Sequence, residues 1–291
     1  MGQGGRLRVS GTTRLYGIFG DPIAHSLSPL MHTLAFQQHG LDCVYVPFLV
    51  HPEQLATAVA GAVALGVGGF NVTIPHKEAI VPLLHAVSVE AQFVGAVNTV
   101  HVVDGRTIGY NTDGEGFMQP LRACQLPVAE TIACILGAGG AARAITMALL
   151  RAGCQELVVA NRTYARGQRL ITALQERFPQ AQLAVVPWEQ VAPVARRSTL
   201  IVNATAVGLH AEEQTLLPPS CFHPGQVVYD IVYRPLVTPL LQTAQRGGAS
   251  VVGGLGMLIG QGAEAFRIWT GLQFPVTEAQ RELEALLQTT S

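Results

Sequence analysis

The chain has 291 residues, more than one hydrophobic core usually organises, so the length points to about two domains. An apolar content of 49% with only 13% charged residues describes a folded globular protein and excludes a disordered one. A formal net charge of −1, with no basic run, excludes a field that would draw nucleic acid or anionic lipid, which leaves small-molecule chemistry as the expectation.

Taken in chain order, Met1 to Arg14 lacks the apolar stretch of a signal peptide, and Arg6 stands where a myristoylation motif needs Ser or Thr. Strand-like runs at Leu15–Phe19, Val44–Leu49, Gly69–Thr73 and Val97–Val103 alternate with helix-like segments at Pro29–His39, Glu53–Leu65 and His76–His85, the pattern of an α/β layer structure. The stretch Leu55 to Pro75 carries no charge and approaches the roughly 20 residues of a membrane span. Its glycines at 66, 68 and 69, followed by Asn71 and Pro75, instead parse it as a helix ending near Gly66 and then a buried strand, so no membrane segment is expected. Asp104-Gly105 between two strand-like runs reads as a two-residue hairpin turn at the edge of the sheet.

After Leu126-Pro127 a second alternation begins. Strands are expected at Thr131–Leu136, Leu157–Ala160, Leu183–Val186, Thr199–Val202, Val227–Asp230 and Ser250–Val252, with helices up to about Ala152 and from Tyr164. This is the order of a doubly wound nucleotide-binding domain. Gly256–Trp269 and Thr277–Leu287 close the chain as helices without further strands. The five cysteines, Cys43, Cys124, Cys134, Cys154 and Cys221, are odd in number and scattered without a C-x-x-C pair, which fits a reduced cytoplasm. The nine histidines show no ligand spacing beside cysteines or paired carboxylates, so no metal is expected.

The first expected strand of the second half runs directly into Gly137-Ala138-Gly139-Gly140-Ala141-Ala142, a G-x-G-x-x-A turn opening a helix. The first glycine permits the turn, the second lets backbone approach a pyrophosphate, and Ala142 lets helix and strand pack closely. A turn chosen only for packing is the alternative. At the end of the next strand an NAD site would place an acid for the ribose 2′-hydroxyl, whereas this chain offers Asn161-Arg162-Thr163 with Arg166 one turn on. A guanidinium matches phosphate oxygens, so the 2′-phosphate of NADP is the natural ligand, against the alternative of a solvated arginine pair.

In the first half, Ser28 reads as an N-cap with Pro29 in the first turn, although Ser26 and Ser28 could equally hold a substrate carboxylate. His25 alone reads as structural. Gly69–Lys77, Ala96–Thr99 and Tyr110–Gly114 each add polar side chains beside apolar strand ends, where open α/β sheets collect ligands. Together they describe a polyhydroxylated-substrate site lined by donors and acceptors.

These blocks, in order His25-Ser26-Leu27-Ser28-Pro29, Asn71-Val72-Thr73-Ile74-Pro75-His76-Lys77, Gly95-Ala96-Val97-Asn98-Thr99, Asn111-Thr112-Asp113-Gly114, Gly137–Ala142, Asn161-Arg162-Thr163, Asn203-Ala204-Thr205 and Gly254-Leu255-Gly256-Met257-Leu258, make the chain resemble the shikimate dehydrogenase family along nearly its whole length. The resemblance implies an α/β substrate domain over 1–112, completed by helices in 254–291, and a Rossmann-type NADP domain over 113–253. It implies reversible reduction of 3-dehydroshikimate to shikimate with NADP, a cytoplasmic step of aromatic amino acid biosynthesis, by a monomer or homodimer. Carried over by position, Lys77 and Asp113 look like the catalytic pair. Ser26, Ser28 and Tyr233 would meet the shikimate carboxylate, and Thr73, Asn98, Asp113 and Gln261 the ring hydroxyls. Gly137 to Ala141, Asn161, Arg162, Thr163 and Arg166 would hold the cofactor phosphates, with Thr205, Gly254 and Met257 on the nicotinamide side. Two departures stand out: His85 where many relatives have Asp, and Leu209 where many have Met. The competing expectations are a quinate/shikimate dehydrogenase with relaxed cofactor use, or a non-catalytic metabolite sensor on the same fold.

Overall fold

The computed structural model describes residues 9–209 and 215–289. The readings of residues 1–8, Arg6 included, lie outside the described residues. The chain divides into two compact units, Met1–Asn111 with Ala265–Ala279, and Thr112–Glu264 with Gln280–Ser291.

The first unit contains β1 (Arg14–Gly20), α1 (Ser28–Gln38), β2 (Cys43–Leu49), α2 (Leu55–Ala64), β3 (Gly69–Val72), β4 (Ala86–Val87), α3 (Val89–Val94), β5 (Thr99–Val103) and β6 (Arg106–Tyr110). Its sheet has the order β2-β1-β3-β5-β6-β4, with β2, β1 and β3 parallel and β5 antiparallel to both β3 and β6. The β5–β6 hairpin turns on Asp104 (φ 50°) and Gly105 (φ 73°), the left-handed pair that an Asp-Gly turn demands. One expected helix is absent: His76–His85 runs as turns with a single 3₁₀ turn at Val81–Leu83. Pro82 has no N–H to give, and the Lys77 carbonyl accepts the Val97 N–H at 2.8 Å instead of a bond within a helix. That bond ties the segment to the start of β5. The short helix α3 was not foreseen, although Ser88 caps it by accepting the Ala91 N–H at 3.2 Å.

The second unit contains α4 (Asp113–Ala123), β7 (Ile132–Leu136), α5 (Gly140–Arg151), β8 (Glu156–Ala160), α6 (Tyr164–Arg177), β9 (Gln182–Val186), α7 (Val191–Arg197), β10 (Leu200–Asn203), β11 (Val227–Asp230), α8 (Pro239–Arg246) and β12 (Ser250–Val252). Two helices follow, α9 (Leu255–Thr270) and α10 (Val276–Thr289), each divided between the two units. The six strands are all parallel in the order β12-β11-β10-β7-β8-β9. Counted from β7 this is the doubly wound 6-5-4-1-2-3 order, and its topological switch point falls between β7 and β10.

Strand periodicity builds the cores. In the first sheet one face buries Phe19, Phe70, Val72 and Val100 with Leu55 and Val59 of α2, and Phe19 stacks on Phe70 at 4.3 Å. On the other side Tyr16 of β1 and Tyr45 of β2 meet Phe36 of α1 and Trp269 of α9. Gly69 leaves room for that indole, whose Nε1 donates to the Val100 carbonyl at 3.0 Å, so the returning segment of α9 completes this core. In the second unit Cys134, Leu136, Ile201 and Val228 are packed by Leu240, Leu241 and Ala244 of α8. Among the described residues no helix is long and apolar enough to cross a membrane.

Candidate active site

In the first unit the polar residues gather on the loops after β1 and β3 and at the start of β5. Ser28 is not the helix cap: it is already the first residue of α1, buried, and the capping position belongs to Leu27, which offers no side-chain bond. The Ser26 hydroxyl oxygen accepts the Ser28 N–H at 3.3 Å, and the Ser28 side chain hydrogen-bonds Tyr45. Thr73 lies beside this loop, since its N–H donates to the Phe19 carbonyl at 2.9 Å and a Cβ on Gly20 would meet its methyl at 2.5 Å. Half-buried Lys77 and buried Asn98 are brought to the same place by the Lys77–Val97 bond and by the Val72 N–H, which donates to the Asn98 carbonyl at 2.8 Å. The His76 ring is buried beneath, with Nε2 2.7 Å from the Val50 carbonyl.

In the second unit the Gly-rich turn lies at the switch point. Gly137 has φ 111°, its N–H donates to the Ala160 carbonyl at 2.8 Å, and a Cβ there would meet Thr205 at 2.9 Å and the Ala204 carbonyl at 3.0 Å. Only glycine fits a turn held so closely between the ends of β8 and β10. Gly139 caps α5 and Gly140 opens it, and the space where their side chains would stand is empty. Ala138 and Ala142 are buried and Ala141 half-buried, and the start of a helix, with backbone N–H groups that have no partner within the helix, is a cradle suited to an anion.

Asn161 at the end of β8 closes the loop into α6 by donating to the Thr163 carbonyl at 2.8 Å. Arg162, Thr163 and Arg166 are exposed, and the first turn of α6 holds no acidic residue. Among the described residues neither guanidinium has a hydrogen bond or an ion pair. The donor set fits a phosphate on the ribose.

Sequence reasoning missed Asp230 at the end of β11, which organises the neighbouring loops. Its buried carboxylate accepts from Asn203 Nδ2 at 2.8 Å, the Val232 N–H at 3.0 Å and the Thr238 hydroxyl at 2.7 Å. Burial pushes its pKa up while these three donors pull it down. Asn203 in turn fixes Thr205, accepting its hydroxyl at 2.7 Å and its N–H at 3.0 Å. Gly254 lies against the backbone of Ile231 and Val232 with no room for a Cβ, next to half-buried Tyr233, whose phenol burial pushes up. A strand-end acid was the only signal, and Asp in that position is more often a turn residue.

Helix α4 was also unforeseen. It starts with buried Asp113, and a Cβ on Gly116 would meet the Met257 carbonyl at 2.7 Å and the Gln261 N at 2.6 Å. Gly260 faces Gly116 in the same way, so small residues let α4 and α9 touch backbone to backbone. Asp113, Met257 and Gln261 are thereby brought onto two facing helices, with Gln261 Nε2 donating to the Leu258 carbonyl at 2.9 Å.

Family models match three stretches: the shikimate dehydrogenase substrate binding domain over 18–100, shikimate / quinate 5-dehydrogenase over 123–215, and the shikimate 5'-dehydrogenase C-terminal domain over 254–284. A protein of Geobacter metallireducens named shikimate dehydrogenase (NADP(+)) is 46% identical, the match covering 96% of this chain and 99% of the relative. The chain belongs to the shikimate dehydrogenase family. A crystal structure of shikimate dehydrogenase in complex with NADP+ superimposes with a TM-score of 0.90 at 36% identity, covering 96% of this chain and 98% of that one. The Listeria monocytogenes enzyme in complex with shikimate and NAD gives 0.89 at 37% identity over 95% and 98%.

Against the family pattern, His85 acquires a role that the sequence did not suggest. Its Nδ1 accepts the Thr107 N–H at 3.1 Å while its own N–H donates to the Thr107 hydroxyl at 3.1 Å, which ties the segment after Lys77 to β6. An Asp carboxylate can accept the same bond, so the substitution keeps the tie. Leu209 is half-exposed, and its exchange for Met conserves volume.

Proposed function

We infer that this protein is an NADP-dependent shikimate dehydrogenase, an oxidoreductase acting on a CH–OH group that interconverts 3-dehydroshikimate and shikimate. The observation that carries this reading is the Gly139–Gly140 turn at the switch point, followed one strand later by the exposed Arg162 and Arg166 at a helix start whose first turn holds no acidic residue. Full-length identity to relatives named for this NADP reaction supports the substrate.

In our reading the substrate domain is 1–112 completed by 254–291, and the NADP domain is 113–253. Backbone N–H groups from Gly137 to Ala141 hold the pyrophosphate; Asn161, Arg162, Thr163 and Arg166 hold the adenosine 2′-phosphate end; Thr205, Gly254 and Met257 line the nicotinamide side. Bound NADPH supplies the hydride. Ser26, Ser28 and Tyr233 bind the substrate carboxylate, and Thr73, Asn98, Asp113 and Gln261 hold the ring hydroxyls. Lys77 in its charged form donates a hydrogen bond and then a proton to the ketone oxygen as negative charge develops there, and Asp113 is the second residue of the catalytic pair. In the oxidative direction the neutral amine takes that proton back. The five free thiols suit a reducing cytoplasm, and we expect a monomer or homodimer.

Lys77→Ala tests the assignment. Lost in the transition state more than in the ground state, the ammonium should take at least about a hundredfold from turnover while equilibrium shikimate binding changes much less. Retained turnover with badly weakened binding would make Lys77 a substrate clamp and pass the proton to Asp113 or water.

A further inference from the structure

We propose that Asp230 is a positioning residue for hydride transfer: through Asn203 it sets the loop after β10, and directly it sets the loop after β11, and these loops carry the nicotinamide side of the cofactor site. This rests on the reading above that Thr205, Gly254 and Met257 line that side. All the residues concerned belong to the second unit.

The first arm runs through one carboxamide whose direction is settled at two backbone groups. The Val207 carbonyl, 3.0 Å from Asn203, can only accept, and the Thr205 N–H, also at 3.0 Å, can only donate. The NH2 end of Asn203 therefore faces Val207 and, at 2.8 Å, Asp230 Oδ1, while its oxygen faces Thr205. The Thr205 hydroxyl accepts the Val207 N–H at 3.1 Å and gives its single proton to Asn203 Oδ1 at 2.7 Å. That proton is committed to shaping the loop, and the Thr205 methyl is the group that lies against Gly137, where a Cβ would meet it at 2.9 Å. An ionised carboxylate can only accept, so Asp230 reinforces the one amide direction that holds Thr205 in this turn.

The second arm is direct. Asp230 Oδ1 also accepts the Val232 N–H at 3.0 Å, and Oδ2 accepts the Thr238 hydroxyl at 2.7 Å, whose oxygen caps α8 by accepting the Leu241 N–H at 3.3 Å. The Val232 carbonyl in turn accepts the Gly254 N–H at 3.3 Å, and the Gly254 carbonyl accepts the Leu258 N–H at 3.0 Å in the first turn of α9, where Met257 stands. The two arms meet at Gly208, where a Cβ would lie 3.5 Å from Thr238 and 3.8 Å from Asp230 Oδ2. One buried carboxylate thus fixes Thr205, Gly254 and the start of α9 relative to one another. Burying a carboxylate is costly, and three donors converge on this one to keep it there. What the arrangement supplies is geometry, since hydride transfer needs reacting atoms within about 3–3.5 Å and a misplacement of about 1 Å costs on the order of a hundredfold.

The test compares Asp230→Asn, Asn203→Ala, Thr238→Val and Thr238→Ser in kcat, in KM, and in equilibrium binding of NADPH and of adenosine 2′,5′-bisphosphate, which carries the adenosine end alone. Asp230→Asn keeps the shape but has one accepting oxygen in place of two, so it cannot serve Thr238 and the other two donors at once. It should lower kcat by about ten- to a hundredfold and weaken NADPH by about three- to tenfold, while adenosine 2′,5′-bisphosphate binds within about twofold of its affinity for the unchanged protein. Asn203→Ala should do the same. Thr238→Val should lower kcat by about three- to tenfold, whereas Thr238→Ser keeps the hydroxyl and should stay within about twofold on every measure. Melting curves accompany each variant. A lower melting temperature with native-like kcat and affinities, or equal weakening of NADPH and the bisphosphate, would make Asp230 a plain structural support and overturn the proposal. Met257→Ala separates the proposal from the reading beneath it: if that variant binds NADPH and turns over like the unchanged protein, this side does not meet the nicotinamide and the proposal falls with the reading. An impaired Met257→Ala beside a native-like Asp230→Asn overturns the proposal alone. Should Asp230→Asn not fold, Thr238→Val and Thr238→Ser decide.

Discussion

His32 on α1 is fully buried, and among the described residues neither ring nitrogen has a hydrogen-bond partner. Its surroundings are aromatic: Tyr45 stacked at 4.5 Å, Trp269 at 5.2 Å, Phe274 at 5.9 Å and Phe36 at 6.4 Å. Desolvation pushes its pKa down to about 3, so the native ring is neutral throughout the working range. In the unfolded chain the same imidazole binds a proton near pH 6.5. Between these values the unfolded state holds the extra proton, so stability rises with pH from about 3 to 6.5 and is lost as pH falls through that window. The slope is about 1.4 kcal/mol per pH unit, which amounts to about 2 kcal/mol between pH 8 and pH 5 from this residue alone. His32→Phe removes the titration while keeping an aromatic ring, and any packing difference is a constant offset independent of pH. Urea unfolding of both proteins at pH 8, 6.5 and 5 isolates the effect: the stability gap should move in favour of the variant by about 2 kcal/mol on going to pH 5. A gap that stays constant with pH would show that native His32 is protonated or solvated and would refute the argument from burial.

Arg162→Ala should raise the Michaelis constant for NADP by about ten- to a hundredfold while sparing NAD, the loss of one charge-assisted phosphate contact; an equal effect on both cofactors would move Arg162 away from the 2′-phosphate. Gly116→Ala sets a Cβ against the Met257 carbonyl and the Gln261 nitrogen, backbone atoms that cannot yield cheaply. Its gain in helix propensity of about 1 kcal/mol should be outweighed by overpacking of about 1–3 kcal/mol. Melting temperature and turnover should fall together, and a stabilised, fully active variant would contradict the close approach of α4 and α9.

The second unit was legible almost strand by strand, because a parallel sheet buried on both faces writes short apolar runs between turn signals. The Gly137–Ala142 turn was legible for a related reason, since backbone constraints leave glycine few substitutes there. The first unit was less so. His76–His85 has the composition of a helix, but a carbonyl taken by Val97 and a proline at 82 decide against it, and both effects depend on partners distant in sequence. Helix α4 was hidden because Gly114, Gly116 and Pro120 speak against a helix locally, while its reason for existing is the crossing with α9. Tyr45 in the first unit and Asp230 in the second, each of which ties loops of its own unit together, were invisible for a similar reason: a buried Tyr reads as core and a strand-end Asp as a turn until their hydrogen-bond partners are known.

The central claim is that this chain uses NADP to interconvert one CH–OH group of shikimate and the ketone of 3-dehydroshikimate. A steady-state assay pairing shikimate and quinate with NADP and NAD tests it most directly. The account predicts turnover dominated by shikimate with NADP, with NAD much the poorer cofactor. Equal use of the two cofactors would contradict the role of Arg162, and tight binding of shikimate and NADP without turnover would contradict catalysis and make the protein a sensor.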